Sequence, residues 1–315
     1  MSDDFTDGNW DGKLDADVRQ ERPEPLTPRL TYEPFRPLSC CIQVDLAVRS
    51  HPGRRAVNED HYLLLRMERK QATIATSLPQ GEIPAQFEEF GYGIFLADGM
   101  GTGGAGEVAS RLAIATLEHL VLHYANWNVR IDPRVAEEVI DRADRFYRSV
   151  DERVSEVARL RPPLAGMGTT LTAAYIADDV LFLAHVGHSR AYLFRHDRLT
   201  QLTRDQTIAQ RILETGRSMP SETAAHDLRH ILTDAIGGRA GVPSIQIEQY
   251  RLQDGDTLMV CSNGLSDIVD DQSSAAVVRE KRPVEEQCQA LLNLALERGA
   301  VDNVTVALAK YRVMK

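Results

Sequence analysis

The order of strand and helix signals along the chain is the feature that most restricts its fold. Apolar residues at three- and four-residue spacing predict long helices at 105–124 and 134–160. Residues 205–236 are predicted to be mostly helical, and a last helix is predicted at 283–298. Strands are predicted at 41–49, 61–67, 72–77, 92–97, 168–177, 180–186, 190–195, 199–202, 245–250, 256–261 and 303–313. Because strands and helices do not alternate as in βαβ units, this order favours an α+β fold with mostly antiparallel sheets and helices packed outside them.

The first 38 residues differ in composition from the rest of the chain. They contain nine acidic and five basic residues, five prolines from Pro23 to Pro37, and no sustained apolar period. We therefore predict a disordered acidic tail and linker at 1–38, and one domain at 39–315. Asp7 begins a segment that copies much of a calcium loop, but Val18 stands where the bidentate acid belongs. A solvated acidic tail is the favoured interpretation over a calcium site.

Charge and hydropathy limit the location and the partners. The N-terminus lacks the basic cluster and apolar run of a signal peptide, and no segment approaches the ~20 apolar residues that span a bilayer. These features predict a soluble, cytoplasmic protein. The formal net charge of −10 argues against nucleic acid or an anionic membrane as partner, since both require a basic surface.

A glycine-rich segment after the strand at 92–97 has two interpretations. "DGMGTGGAGEVAS" contains G-x-G-x-x-G as Gly101, Gly103 and Gly106, followed by a helix, which is the arrangement of a dinucleotide-binding oxidoreductase. However, Asp98 precedes the glycines and would repel a pyrophosphate, and helix replaces the expected second strand. The alternative is that Asp98, with the Gly99 carbonyl, offers oxygen ligands to a hard divalent cation.

Acidic and amide side chains recur at the predicted strand boundaries. Taken singly, each has a structural explanation as a turn or a solvated loop, and Asn263-Gly264 could form a hairpin-like turn with positive φ. Taken together, four separate segments place oxygen ligands at strand ends, as phosphoryl chemistry with two metal ions would require. These residues are Glu59, Asp60, Asp98, Asn263, Asp267 and Asp302, with Arg54 and Arg55 just upstream of the first pair.

The ordered motifs resemble the metal-dependent (PPM, type 2C) serine/threonine phosphatase family, in particular its bacterial members. The resemblance covers about residues 41–313 and rests on "RRAVNED", "ADGMGTGGAGEVAS", "GMGTTLTAA", "VGHSRAYLF", "LTQLTRDQT", "ILTDAIGG", "CSNGLSD" and "VDNVTV". It implies a four-layer α-β-β-α sandwich of two antiparallel sheets flanked by helices, with a two-metal centre at one end. It also implies phosphorylated proteins, the products of a serine/threonine kinase, as substrates, and a substrate-selecting flap at about 203–236.

The resemblance implies a role for each matching residue. Asp98 would bridge two Mn²⁺ or Mg²⁺ ions; Glu59 and the Gly99 carbonyl would serve one ion, and Asp302 with the residue at 263 would serve the other. Asp60 would hold a water at the metals, and Arg55 would grip the phosphate, since a guanidinium presents paired donors to two oxygens. The water would attack phosphorus in line and expel the serine or threonine alkoxide.

Two positions depart from the family pattern. Asn263 and His188 replace aspartates that lie together in bacterial relatives and can hold a third metal ion. Asn263 keeps a carbonyl oxygen but loses the charge that attracts Mg²⁺ or Mn²⁺. His188 could coordinate through a neutral imidazole, although a hydrogen-bonding substitute for the lost acid is the favoured interpretation. We therefore expect the third metal site to be absent or altered.

These departures leave two functions open besides the oxidoreductase. The leading hypothesis is a metal-dependent serine/threonine phosphatase with an altered metal site, because Arg55, Glu59, Asp60, Asp98 and Asp302 all persist. Its rival is a weak or inactive pseudophosphatase that binds phosphoproteins or regulatory partners without turnover.

Overall fold

A computed structural model describes residues 42–125, 133–216, 227–238 and 241–314 of the protein. The predicted tail at 1–38 and its calcium-loop-like segment lie outside the described residues. Within those ranges, no helix combines the length and the apolar character needed to cross a bilayer. The cytoplasmic location stays a prediction.

The first of two sheets has five strands, all paired antiparallel. Its central strand β11 (Thr257–Cys261) is buried along its whole length, whereas β1 (Ile42–His51) at the edge shows mixed burial. This difference follows from position, because β11 has a neighbouring strand on each side and β1 has one open edge. In spatial order the strands are β1 (Ile42–His51), β12 (Val304–Val313), β11 (Thr257–Cys261), β7 (Arg190–Arg195) and β8 (Arg198–Gln201).

The second sheet is built around the long strand β3 (Gln86–Met100). On one side β3 pairs with β2 (Asp60–Ala72) as a hairpin. On the other side it pairs first with β5 (Leu171–Ala177) and then, near its end, with β4 (Gly168–Thr169). All of these pairings are antiparallel. The strands are β2 (Asp60–Ala72), β3 (Gln86–Met100), β4 (Gly168–Thr169), β5 (Leu171–Ala177), β6 (Val180–Val186), β9 (Ile236–Gly237) and β10 (Gln246–Arg251).

Helices cover the outer face of each sheet. Helices α1 (Ala105–Tyr124) and α2 (Pro133–Leu160) pack on the second sheet, and α5 (Asp271–Arg279) and α6 (Val284–Glu297) pack on the first. Two short helices, α3 (Ile208–Glu214) and α4 (Asn263–Ser266), lie in connections. A third apolar core, which includes Leu96, Leu183 and Leu258, fills the space between the sheets. The α+β, four-layer α-β-β-α sandwich is confirmed.

Three local predictions from the sequence were wrong. The strand at 72–77 is the end of β2 followed by residues without strand structure. In the 205–236 segment, the described helix is limited to α3 and a single turn at 227–229, and Ile231 and Leu232 pair with the start of α3 and its N-cap residue. Asn263 and Gly264 open the helix α4, so the alternative of a turn with positive φ is also wrong.

Candidate metal centre

A cavity of about 500 Å³ opens at the end of the sandwich where β2 and β12 begin and where β3 and β11 end. The antiparallel pairing brings these four chain ends to the same edge, so the strand-end acids meet there. Asp60 is the exception among the predicted site residues: it pairs with Asp98 across β2 and β3 but does not line the cavity. The predicted residues that line it are Arg55, Glu59, Asp98, Gly99, His188, Asn263 and Asp302, together with His230 and Asp267.

Asp98 is fixed through its backbone and carries an unpartnered carboxylate oxygen. Its N–H donates to Thr170 Oγ1 at 3.0 Å, and its carbonyl accepts from Thr170 N at 2.9 Å and from Thr169 Oγ1 at 2.9 Å. Its Oδ2 is buried without a hydrogen-bond partner. Burial, reinforced by repulsion from neighbouring carboxylates such as Asp60 and Asp302, raises the pKa of Asp98 well above its usual range. A bound cation would offset both the desolvation of this carboxylate and its repulsion from its neighbours.

Helix α1 packs directly on the backbone beside Asp98. A Cβ atom on Gly106 would lie 2.7 Å from the carbonyl carbon of Gly99, so only glycine allows this approach. Gly99 N donates to the Glu59 carbonyl at 3.1 Å, and Ser110 Oγ of α1 donates to the same carbonyl at 2.6 Å. The glycines therefore serve close packing next to the acids. The dinucleotide alternative requires a parallel βαβ unit, whereas β3 pairs antiparallel with β5.

Asp60 is buried and held by two hydroxyls. Ser262 Oγ and Thr305 Oγ1 both donate to its Oδ2, at 2.8 Å and 2.7 Å, whereas its Oδ1 is buried without a hydrogen-bond partner. Burial raises the pKa of Asp60 to about 6, although the two hydroxyls oppose the increase. One oxygen is thus held by the fold, and the other has no hydrogen-bond partner.

Arg55 lies at the exposed rim of the cavity and forks onto Asp302. Its Nε lies 3.1 Å from Asp302 Oδ1, and its Nη2 donates to Oδ2 at 3.2 Å. Asn303 supports both residues from below: it accepts from Glu59 N at 2.8 Å and donates to the carbonyls of Pro52 and Val57 at 3.0 Å each. The loop that carries Arg55 is therefore bound to the start of β12.

The two departures from the family pattern face the same cavity. His188 Nδ1 lies 4.0 Å from Asp98 Oδ2, which is too far for a hydrogen bond, and Nδ1 is buried without a partner. Burial lowers the pKa of His188 to about 4, so its imidazole is neutral near pH 7. Asn263 is buried at the start of α4 and lines the cavity wall.

These groups fit a divalent cation centre in their chemistry. Carboxylates from β2, β3 and β12 repel one another around one cavity, and buried oxygens of Asp60 and Asp98 have no partner. In the part of the chain that the structure describes, no three His, Cys, Asp or Glu side chains are already gathered as a metal-binding group. In this arrangement Arg55 contacts Asp302, and the hydroxyls of Ser262 and Thr305 contact Asp60.

Sequence reasoning missed the residues that position the acids. Thr170, Ser262, Asn303 and Thr305 are buried and hydrogen-bonded to the acids or to their backbone. All four belong to the quoted motifs "GMGTTLTAA", "CSNGLSD" and "VDNVTV". Their position next to the acids in these motifs could have indicated a supporting role, but only the folded chain shows which acid each one contacts.

Comparisons of the sequence with known proteins all point to the same family. Residues 81–303 match the family described as "Protein phosphatase 2C". The chain is 38% identical over 214 residues to "Serine/threonine protein phosphatase PstP" of Mycobacterium tuberculosis, an alignment of 68% of this chain and 39% of that protein. It therefore spans about two fifths of the length of that relative. It is 31% identical over 224 residues to "Serine/threonine phosphatase stp" of Listeria innocua, which covers 70% of this chain and 85% of that protein.

A solved structure agrees with the sequence comparisons. The catalytic domain of Mycobacterium tuberculosis PstP, solved in complex with two manganese ions, superposes with a TM-score of 0.65 at 32% identity. The superposition covers 86% of this chain and 99% of that chain. The similarity thus includes nearly all of that domain.

Proposed function

This chain belongs to the protein phosphatase 2C family, and on that premise we propose that it is a metal-dependent phosphatase that hydrolyses phosphoserine and phosphothreonine in proteins. The observation that carries the proposal is the convergence of Glu59, Asp98 and Asp302 on one cavity with Arg55 at its rim. The Mycobacterium and Listeria relatives, both named serine/threonine phosphatases, support the choice of substrate. Products of a serine/threonine kinase are the corresponding protein substrates.

The proposed metal ligands are Glu59, Asp98, Asp302, the Gly99 carbonyl and the Asn263 side chain. Two Mn²⁺ or Mg²⁺ ions would supply positive charge to the phosphoryl oxygens and would activate a water for attack on phosphorus. The two manganese ions of the PstP catalytic domain support this assignment. Asn263 contributes a neutral oxygen, so the attraction for a cation depends on the three carboxylates.

The protein's own groups bind the phosphate and orient the water. Arg55 offers two parallel donors to phosphoryl oxygens, in the same two-point geometry that it now uses on Asp302. It also supplies a local positive charge in a protein with a net charge of −10. Asp60 would position the water from behind the cavity wall, with Ser262 and Thr305 fixing one of its oxygens and Oδ1 left without a protein partner. The segment at 203–236 would act as the substrate-selecting flap.

Phosphate release from a phosphothreonine peptide tests the proposal. We expect the purified full chain to release phosphate with Mn²⁺ and to stop when the metal is chelated. Asp98→Asn should reduce the rate by about a hundredfold or more, since loss of even an outer partner of a metal centre costs 10- to 100-fold. Glu286→Gln, an exposed change on α6, is the matched control. Absence of turnover with every divalent ion would reject phosphatase activity.

A binding module without turnover is the second candidate. It is favoured by the neutral side chains at His188 and Asn263, where aspartates would be expected. In that case a phosphopeptide should bind and Arg55→Ala should weaken its binding, although no phosphate is released. Turnover that appears only in a His188→Asp, Asn263→Asp double variant would support this candidate.

A further inference from the structure

Two buried polar atoms face each other inside the cavity without satisfying one another. They are His188 Nδ1 and Asp98 Oδ2, which lie 4.0 Å apart, and neither has a hydrogen-bond partner. The two side chains are only 12% and 16% exposed. Buried polar atoms without partners are rare, because no hydrogen bond compensates for the loss of their hydration. If Nδ1 served as a hydrogen-bond donor to this carboxylate, the separation would be about 3 Å.

The gap between these atoms matches the space that a metal ion occupies. Bonds from a first-row metal to imidazole nitrogen and to carboxylate oxygen are both about 2.1 Å. Two such ligands are therefore about 3 Å apart at a right angle and about 4.2 Å apart when they lie opposite each other. The observed 4.0 Å falls inside this interval.

The positions of both atoms are preset by one hydrogen-bonded frame. Thr170 Oγ1 accepts from Asp98 N at 3.0 Å and lies 2.9 Å from Ser189 Oγ, so it joins the Asp98 backbone to the turn that bears His188. Thr170 and Ser189 are fully buried. Ordering these ligands on cation binding would thus cost little conformational entropy.

The turn itself is held at the residue before His188. Gly187 N donates to Gln206 Oε1, and Gln206 N donates to the Gly187 carbonyl, both at 2.8 Å. Gly187 has a φ of 113°, and a Cβ atom there would lie 2.5 Å from Thr170 Cγ2. Only glycine fits this position, and the resulting turn aims the imidazole toward Asp98.

We propose that His188 is a nitrogen ligand of the metal centre and shifts its preference from Mg²⁺ toward a transition-metal ion such as Mn²⁺. Imidazole nitrogen suits first-row transition metals, whereas Mg²⁺ prefers oxygen ligands. The replacement of a carboxylate by an imidazole, beside the neutral amide of Asn263, also removes charge that Mg²⁺ requires. This inference rests on the metal centre of the proposed function.

Pulsed electron paramagnetic resonance of bound Mn²⁺ tests the ligand directly. The full chain is stripped of metal, loaded with Mn²⁺ and examined for ¹⁴N coupling. We expect coupling in the wild type, its loss in His188→Ala and in the more conservative His188→Asn, and its retention in His230→Ala. His230 is the matched control because it lines the same cavity and lies 3.8 Å from another carboxylate, Asp267. Circular dichroism verifies that each variant is folded.

Metal competition provides a second readout. His188→Asp should improve the affinity for Mg²⁺ relative to Mn²⁺ by at least about tenfold, since changing a ligand should cost no less than changing an outer partner. Absence of ¹⁴N coupling in the Mn²⁺-loaded wild type, or coupling that survives both His188 variants, would overturn the proposal.

Parallel turnover assays separate this proposal from the proposed function. Turnover with Mn²⁺ but without ¹⁴N coupling would refute ligation by His188 and leave the phosphatase standing. Coupling that depends on His188, without turnover, would support ligation and reject phosphatase activity. Failure to bind Mn²⁺ would refute ligation by His188, and failure to bind any divalent ion would also reject the phosphatase.

Discussion

Replacement of Asn303 by alanine probes how the Arg55 loop is fixed beside the acids. The buried Asn303 amide makes three hydrogen bonds, one from Glu59 N to Oδ1 and two from Nδ2 to the carbonyls of Pro52 and Val57. These bonds join the start of β12 to the segment 52–59, which carries Arg55. Alanine removes all three at once and leaves the backbone groups on that segment without their partner.

The expected loss of stability follows from the number of bonds. Each buried hydrogen bond contributes roughly 1 kcal/mol, so the free energy of unfolding should fall by about 3 kcal/mol. Domains of this kind are stable by about 5–15 kcal/mol, so the variant should remain folded. Asn303→Asp retains an acceptor for Glu59 N but turns a buried carboxylate oxygen toward the carbonyls of Pro52 and Val57, so its loss should be at least as large.

Urea unfolding of the full chain at neutral pH, followed by circular dichroism, measures these differences. Asn293→Ala is the control, because Asn293 is exposed on α6 and its amide oxygen accepts from Gln289 in its own helix. We also expect Asn303→Ala to weaken phosphopeptide binding through the Arg55 loop. A stability within about 0.5 kcal/mol of the control would refute the idea that Asn303 fixes this loop.

Three further perturbations follow from the contacts around the site. Arg55→Ala should raise the affinity for Mn²⁺ by up to about fivefold in calorimetry, because it frees the Asp302 carboxylate from an exposed ion pair. Arg54→Ala is the control. An unchanged Mn²⁺ affinity in Arg55→Ala would contradict the prediction. Burial holds the pKa of His185 at about 4, below its usual 6.5, so only the unfolded chain gains this proton as the pH falls between those values. The free energy of unfolding should therefore fall by about 3 kcal/mol over that pH interval. Urea titrations at several pH values measure this dependence. His185→Gln should make the free energy of unfolding depend less on pH, whereas the exposed His123→Gln should not. Gly106→Ala should cost about 1–3 kcal/mol in thermal denaturation by forcing α1 away from the end of β3, and wild-type stability would refute that contact.

Most strands could be predicted because their local pattern reflects the burial that they reach in the fold. The strand predicted at 180–186 coincides with β6, which is buried at every position. The predicted helix at 205–236 failed for the opposite reason. Ile231 accepts a hydrogen bond from Ile208 N, and Ile236 pairs with Thr169, so distant partners determine the structure of this segment. Such pairing leaves no periodic trace in the sequence.

The sequence predicted that the acids converge, but not the hydrogen bonds that hold them in position. Acids at strand ends converge because antiparallel strands return to one edge, and this follows from the order of elements. The sequence could not show that Asp60 lies behind the cavity wall or that two hydroxyls occupy one of its oxygens. It also favoured a hydrogen-bonding role for His188, whereas Nδ1 has no partner in the fold. That result depends on a difference of about 1 Å between the 4.0 Å separation from Asp98 Oδ2 and a hydrogen-bond distance, which residue types do not encode.

The double contact between Gln206 and Gly187 links two parts of the molecule that have different tasks. Gln206 belongs to the proposed substrate-selecting flap at 203–236, and Gly187 sets the turn before His188. A substrate that displaced Gln206 would therefore also move the imidazole that faces Asp98. By thermodynamic linkage, the factor by which bound substrate changes the cation affinity would equal the factor by which bound cation changes the substrate affinity.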